Sequence, residues 1–255
     1  MSADMEKLRE LMEDSWSYRI YGDSAGGNVD ELVRGIVERT ITDISLPEDI
    51  TSIPEYLFSN CSNLALTSLP SGITSINKYA FYGCSNMALT SLPSGITSIG
   101  QYAFDGCSNL ALTSLPSGIT SIGVSAFNGC KKLALTSLPS GITSIGQYTF
   151  YGCSNLALTS LPSGITSISN NAFYNCVNLA IKSIPSGITN IYDRAFQSCT
   201  SIRELTFQGT PTKISPNSFY NCSNLKTINV PWSEGAVANA PWGATNATIN
   251  YNYVP

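Results

Sequence analysis

Residues 84–106 read CSNMALTSLPSGITSIGQYAFDG, and most of the chain consists of close copies of this 23-residue segment. Each cysteine after the first lies 23 residues beyond the previous one, and a phenylalanine stands three residues before each of them. The cysteines are Cys61, Cys84, Cys107, Cys130, Cys153, Cys176, Cys199 and Cys222. A fixed period in the twenties is typical of solenoids, in which each repeat forms one coil that stacks on its neighbours. The sequence therefore predicts a repeat solenoid in which residues 23 apart are vertical neighbours.

The repeat divides the chain into three parts. Residues 1–37 are predicted to form a helical N-terminal cap, residues 38–245 a solenoid of about nine coils, and residues 246–255 a C-terminal capping strand. Within the cap, apolar residues three or four apart predict amphipathic helices at 4–14 and 29–38. An open solenoid end would expose the core, so a cover with a polar outer face is required.

The pattern inside one repeat is described by counting positions from its cysteine as zero. Large apolar residues recur at positions 3, 8, 12, 15 and 20, and a proline stands at position 9. We expect a short parallel strand at positions 4–8, because proline cannot donate to a ladder and ends it, followed by a Ser-Gly turn. The cysteines are expected to form a ladder of buried thiols that pack as small apolar groups. Disulfides are not expected, because side chains one coil apart point the same way and their Cβ atoms stay too far apart.

One feature of the middle repeats does not fit a simple alternating strand. Their segment CSNLALTSL has leucine at position 5 and threonine at position 6, whereas CTSIRELTF and CSNLKTINV near the end have apolar residues at positions 6 and 8. The residues concerned are Leu66, Leu89, Leu112, Leu135 and Leu158, followed by Ile181. They are either buried by a bulge repeated in every coil or displayed as an apolar stripe that would be an interaction surface. We favour burial, because an exposed leucine ladder threatens solubility.

The composition argues against several classes of function. Residues 1–55 hold 5 basic and 13 acidic side chains and the remainder holds 8 and 4, so there is no basic stripe of the kind that binds nucleic acid. The chain has no histidine, and the only carboxylates between Cys61 and Arg194 belong to Asp105 and Asp193. These two lie nearly four coils apart, roughly 18 Å along the axis, which is too far for an acid/base pair. We therefore expect no enzyme activity, no cofactor and no metal site.

Membrane insertion is not expected either, because no run of 18 apolar residues occurs. We also expect that residues 1–11 are not a secretory signal, because they carry no apolar core of 7–15 residues.

Candidate binding residues lie at the positions that vary from coil to coil, which are positions 16–18 and 21. Tyr, Asn, Ser and Gly dominate there, and this is the mixture that antibody paratopes use. Drift on a solvated edge after duplication explains the variation equally well. The predicted partner-binding residues are Tyr79, Tyr82, Tyr102, Asp105, Tyr148, Tyr151, Tyr174 and Tyr192.

The combined motif of Cys-x-x-Leu, Leu-Pro at positions 8 and 9, Ile-x-x-Ile and Ala-Phe-x-x-Cys resembles the BspA-like leucine-rich repeats. Such repeats occur in bacterial cell-surface and adhesion proteins, in protist surface proteins and in proteins encoded by bacteriophages. The resemblance covers residues 38–245 and implies a right-handed solenoid, with a parallel sheet on one side and turns or short helices on the other. It also implies recognition or adhesion, although such repeats are scaffolds for many partners.

The residues and the resemblance together predict a non-catalytic binding or adhesion module. It would recognise a protein or glycan partner through its loops or its sheet face, and it would lie outside the cell, on a cell surface or on a virion. The alternative is a structural or receptor-binding accessory protein of a bacteriophage virion or a cell envelope. The sheet face is also a candidate surface for a homo-oligomer.

Overall fold

The protein is described from a computed structural model, which describes Thr42, Leu46 and residues 50–254. The helices predicted in residues 1–37 lie outside this range. Residues 50–254 form a parallel-sheet solenoid of stacked coils, and this described part contains no helix. The predicted repeat solenoid is confirmed. None of the described residues belongs to a helix long and apolar enough to cross a membrane.

Twelve short strands build the solenoid, and all of their pairings are parallel. In chain order they are β1 (Ser52–Ile53), β2 (Ser75–Ile76), β3 (Ser98–Ile99), β4 (Ser121–Ile122), β5 (Ser144–Ile145), β6 (Ser167–Ile168), β7 (Ser183–Ile184), β8 (Asn190–Ile191), β9 (Glu204–Phe207), β10 (Lys213–Ile214), β11 (Thr227–Asn229) and β12 (Thr248–Asn250). The sheet orders are β1-β2-β3-β4, β10-β8-β6-β5 and β12-β11-β9-β7. The first two sheets lie at positions 14 and 15, where the isoleucine points into the core.

The predicted strand at positions 4–8 is wrong for the middle repeats and right only near the C-terminus. In the middle repeats this segment makes one backbone hydrogen bond per coil, such as Ala111 N to Leu89 O at 3.0 Å. The strands of this segment are β7, β9, β11 and β12. Of these, β9 and β11 lie within the two repeats that have apolar residues at positions 6 and 8. Simple alternation therefore favours a longer strand here, because β7, whose repeat has Ile181 at position 5, spans only two residues.

The leucines at position 5 are buried, which confirms the favoured interpretation and rules out the apolar stripe. Leu66 is 5% exposed, the next four are fully buried, and Ile181 is 1% exposed. At position 8, Leu69, Leu92 and Leu115 are only partly buried, whereas the later Leu138 and Leu161 are buried. The buried position-5 leucines could therefore not contribute to an interface on the sheet face.

The core is organised around a column of phenylalanine rings. The rings from Phe58 to Phe219 are all fully buried and stack with centroid separations of 5.2 to 5.7 Å. Each of these residues also donates its backbone N–H to a carbonyl of the next coil, as Phe81 does to Ala103 O at 2.9 Å. Ring stacking and this backbone ladder hold the turn side of the coils together from the first described coil to the last.

The thiols do more than the apolar packing expected of them. Seven of them, from Cys84 to Cys222, donate to the carbonyl of the phenylalanine 26 residues earlier, with S···O distances of 2.9 to 3.1 Å. The same carbonyl accepts the N–H of the cysteine in its own coil, as Phe81 O does from Cys84 N at 3.1 Å. All eight side chains are buried and no two sulfurs are cross-linked. Each thiol therefore ties one coil to the next.

The ladder at positions 14 and 15 is interrupted between β4 and β5. The residue at position 19 of this coil is Thr149, where Ala stands in the coils before and after it. A Cβ built on Gly100 would lie 2.6 Å from Lys78 N, so there the coils are in close contact. A Cβ built on Gly146 would instead have Thr149 Oγ1 as its nearest atom, at 3.2 Å. The threonine hydroxyl lies where the backbone of the preceding coil lies at Gly100, and it donates a hydrogen bond to Gly146 O at 2.9 Å. The larger side chain separates the two coils and opens the ladder.

The last coil is closed by aromatic side chains and a final strand. Trp242 stands at the phenylalanine position and is fully buried, and Trp232 packs against it and against Phe207. Strand β12 pairs with β11 in register, and it lies within the segment predicted to cap the solenoid.

Alkaline pH should destabilise the protein through its thiols. Burial raises the pKa of the six thiols from Cys107 to Cys222, in the case of Cys222 to about 12. An unfolded thiol titrates near pH 8.5, so the folded state retains protons that the unfolded state loses. The stabilisation is complete below that pH and is lost above it, with a limiting slope of about 1.4 kcal/mol per pH unit for each thiol. Urea unfolding in the presence of a reductant, measured from pH 7.5 to 10.5, should show this decline.

The variant Cys130→Ala should be less stable at pH 7.5. Its unfolding free energy should fall less steeply with pH, because one titrating thiol is absent. An unfolding free energy that stays constant up to pH 10 would contradict this account.

The variant Thr149→Ala should restore the pairing of β4 with β5. We expect a gain of about 1 kcal/mol, because the recovered backbone hydrogen bonds outweigh the lost hydroxyl contacts to Gly146 O and, at 3.5 Å, to Gly123 O of the preceding coil. The melting temperature should rise by about 2–4 °C. The reciprocal variant Ala126→Thr should open a second break and lower the melting temperature. Calorimetry on the three proteins tests this, and a less stable Thr149→Ala would show that the threonine is not the cause.

Candidate binding surface

The candidate surface lies on the turns that precede the cysteines. The residues at position 18 adopt the left-handed conformation although none is glycine, with φ between 54° and 61° from Tyr56 to Arg194. Backbone hydrogen bonds fix this conformation from both sides, as in Tyr79 N to Gln101 O at 3.0 Å and Tyr82 N to Tyr79 O at 3.2 Å. The turns thus present two parallel columns of side chains, one at position 18 and one at position 21.

The first cluster is a stack of three tyrosines in the position-18 column. Tyr79 lies between Tyr56 and Tyr102, with centroid separations of 4.8 and 4.6 Å and nearly parallel planes. Tyr82, in the position-21 column, meets Tyr79 edge-on at 5.6 Å. Partial burial, and then the neighbouring phenols of Tyr102 and Tyr56, raise the pKa of Tyr79 above its ordinary value. The stack leaves the ring edges and hydroxyls toward solvent.

Asp105 lies beside this stack in the position-21 column and is half-buried. Its Oδ2 accepts a hydrogen bond from Asn128 Nδ2 at 3.0 Å. Burial raises the pKa of Asp105, and the hydrogen bond from Asn128 opposes that shift. The carboxylate therefore already has a partner and contributes one accepting oxygen to the surface.

The second cluster surrounds a concavity of about 360 Å³. Tyr151 and Tyr174 stack at 4.6 Å along the position-21 column, and Tyr148 meets Tyr151 at 5.6 Å with a tilt of 58°. The Tyr174 hydroxyl accepts a hydrogen bond from Gln197 Nε2 at 3.4 Å. The concavity is lined by Asn128, Tyr148, Tyr151, Asn171, Tyr174 and Arg194.

Tyr192 is separate from both clusters. It stands at position 16, directly after β8, and its ring lies under Lys213 Nζ at 5.9 Å. Within residues 50–254 no ring contact joins it to another tyrosine. Seven of the eight predicted binding residues therefore form or border the two clusters, and Tyr192 belongs to neither.

Four residues of this surface were missed by the sequence analysis. Tyr56 ends the first stack and is 50% exposed, and Asn128, Asn171 and Arg194 line the concavity. The signal for all four is the register itself, since they occupy the same two columns as the predicted tyrosines. The predicted set held tyrosines and Asp105, so the amide and guanidinium side chains at the same positions were left out.

The chemistry available on this surface is that of contact and hydrogen bonding. Arg194 Nε lies 3.5 Å from Asp193 Oδ2, and both side chains are about half exposed. In the described part of the chain, no three His, Cys, Asp or Glu side chains converge as a metal site would require. Ring faces, amides, phenolic hydroxyls and one ion pair are the groups that a partner would meet.

The fold and the surface define a class of repeat protein in which a constant scaffold carries variable turn residues. The profile of the BspA type leucine rich repeat region matches residues 37–157 and 125–239, in 6 copies, and the chain belongs to this family.

Solved structures agree with that assignment. A leucine-rich repeat protein from Bacteroides ovatus is 25% identical, with a TM-score of 0.63 over 84% of this chain and 61% of that chain. The Treponema protein described as T. pallidum leucine-rich repeat protein is 27% identical, with a TM-score of 0.53 over 63% of this chain and 78% of that one. The pneumococcal vaccine antigen PcpA, 18% identical with a TM-score of 0.52 over 84% of this chain and 68% of that one, shares the fold. No curated protein matches the chain.

The Tyr79 phenol should ionise above pH 10. A spectrophotometric titration at 295 nm of the wild type minus that of Tyr79→Phe isolates this group, and the phenylalanine ring keeps the stack intact. A difference curve that coincides with that of N-acetyl-tyrosinamide would show that the stack leaves the phenol unperturbed.

Proposed function

We propose that the protein is a non-catalytic binding module that engages a protein or glycan partner through its tyrosine-bearing turns. The observation that carries this proposal is the second cluster, in which three partly exposed tyrosines surround a concavity on a uniform scaffold. Tyrosine supplies a broad contact area with few rotatable bonds, and this is why paratopes favour it.

The rigidity of the surface supports a role in binding. The position-18 N–H donates to the next coil and the position-18 carbonyl accepts a bond from its own turn, and the Tyr151 and Tyr174 rings support each other. Association costs about 0.5–1.5 kcal/mol for each mobile side chain that it immobilises, and these side chains are largely immobilised beforehand. A partner would therefore meet a surface that needs little reordering.

We place the protein outside the cell, on a cell surface or a virion, because BspA-like repeats occur in surface and adhesion proteins. The chain spans 61% of the length of the Bacteroides ovatus protein. A spacer in an envelope or virion is the alternative. The continuous phenylalanine stack would serve a spacer, but a spacer has no need of a tyrosine-lined concavity.

The triple variant Tyr148→Ala, Tyr151→Ala and Tyr174→Ala should lower partner binding at least tenfold and leave the solenoid folded. Binding is measured on a glycan array and on a panel of bacterial and epithelial cells, and folding is checked by circular dichroism. The matched control is the double variant Tyr220→Ala and Tyr253→Ala, whose exposed rings lie outside both clusters. Equal binding by the triple variant and the wild type would contradict the proposal.

A further inference from the structure

The concavity of the second cluster contains a notch in the position-18 column. Tyr148, Asn171 and Arg194 follow one another at intervals of 23 residues and therefore lie one coil apart. The short side chain of Asn171 stands between a tyrosine ring below and a guanidinium above, and all three residues line the concavity. The stacked rings of Tyr151 and Tyr174 form its side wall.

The size of the notch fits one ring. Two coil rises separate the level of Tyr148 from that of Arg194, which is about 9.5 Å. A ring midway between them lies about 4.7 Å from each level, close to the centroid separations of 4.6 to 4.8 Å in the tyrosine stacks. A tyrosine at position 171 would fill the notch without any movement of the backbone. Tyr148 has the same position in the preceding coil, and its φ of 55° matches the 56° of Asn171.

The chemistry around the notch is mixed and nearly neutral. The face of an aromatic ring is electronegative and attracts the weakly positive C–H groups of an apolar ring face. The rim carries amide groups from Asn128 and Asn171, the Arg194 guanidinium and the tyrosine hydroxyls. Asp193 Oδ2 faces Arg194 Nε and balances its charge, and this contact leaves the Nη edge of the guanidinium for a ligand.

We propose that the notch is a subsite for one neutral pyranose residue of a glycan. This inference rests on the proposed function and names the class of ligand. A pyranose has an apolar C–H face for Tyr148 and a rim of hydroxyls, each of which both donates and accepts. An aromatic or proline side chain of a peptide would also stack, but it would leave the amide and guanidinium groups desolvated without partners, which costs about 1–3 kcal/mol each.

The experiment uses saturation-transfer NMR with methyl glycosides of glucose, galactose, mannose and N-acetylglucosamine. Glucuronic acid and N-acetylneuraminic acid serve as anionic comparators. Asn171→Tyr fills the notch with the side chain that the preceding coil already carries, and Tyr148→Ala removes the ring face. The matched control is Tyr253→Ala, whose exposed ring lies outside both clusters.

At least one neutral glycoside should bind with a millimolar dissociation constant. Both notch variants should weaken that binding at least tenfold, and Tyr253→Ala should retain it. The proposal is overturned if no neutral glycoside binds, if only the acids bind, or if Asn171→Tyr binds as the wild type does. If the glycosides fail but the triple tyrosine variant still loses cell binding, the partner is a protein and the proposed function stands. If the triple variant also binds normally, both fail.

Discussion

The hydrogen bond that seven cysteine thiols, from Cys84 to Cys222, donate to a phenylalanine carbonyl of the previous coil is the interaction on which the rest of the structure depends. It lies in a fully buried interior, where the carbonyl of Phe104 accepts both the N–H of Cys107 and the thiol of Cys130. A sulfur can reach that oxygen only if the two coils keep the same rise and register. The exact 23-residue spacing follows, because an inserted residue would displace the ring, the thiol and the backbone ladder together.

The sequence carries the period of this arrangement more clearly than its local geometry. Spacing alone placed the phenylalanines and cysteines in a buried column, because residues one period apart must be vertical neighbours. Spacing does not say where the chain is straight enough to pair. Positions 4–8 and 12–15 both carry apolar residues, and the ladder forms at the Ser-Ile of the second segment, where buried isoleucines flank exposed threonines. The thiol hydrogen bond could not be predicted from the repeat either. A repeat period shows which residues are neighbours, but it does not show in which direction a thiol donates its hydrogen bond.

The residue types of the candidate surface could be predicted from the sequence, but the positions of its residues relative to one another could be predicted only in part. Tyr151 and Tyr174 share a column, so their contact follows from the repeat, whereas Tyr192 shares a turn with neither and was selected only for its ring. Asn171 and Arg194 have no ring and were passed over, although the same register puts them beside Tyr148. A search by column would have found them. The shape of the concavity still required side-chain conformations, which a repeat pattern does not contain.

The uniform backbone at position 18 explains how such a surface can vary without loss of the fold. A left-handed residue other than glycine costs roughly 1–2 kcal/mol, and the structure imposes that cost in each coil from Tyr56 to Arg194, whichever side chain is present. Tyrosine, serine, asparagine and arginine all occupy the position with φ values within a few degrees of one another. Exchanging one for another therefore changes the surface far more than it changes the stability of the turn. A short side chain between two long ones makes a notch, and three rings in succession make a stack. Both shapes occur on this one column, so the order of residues along it sets what the surface can hold.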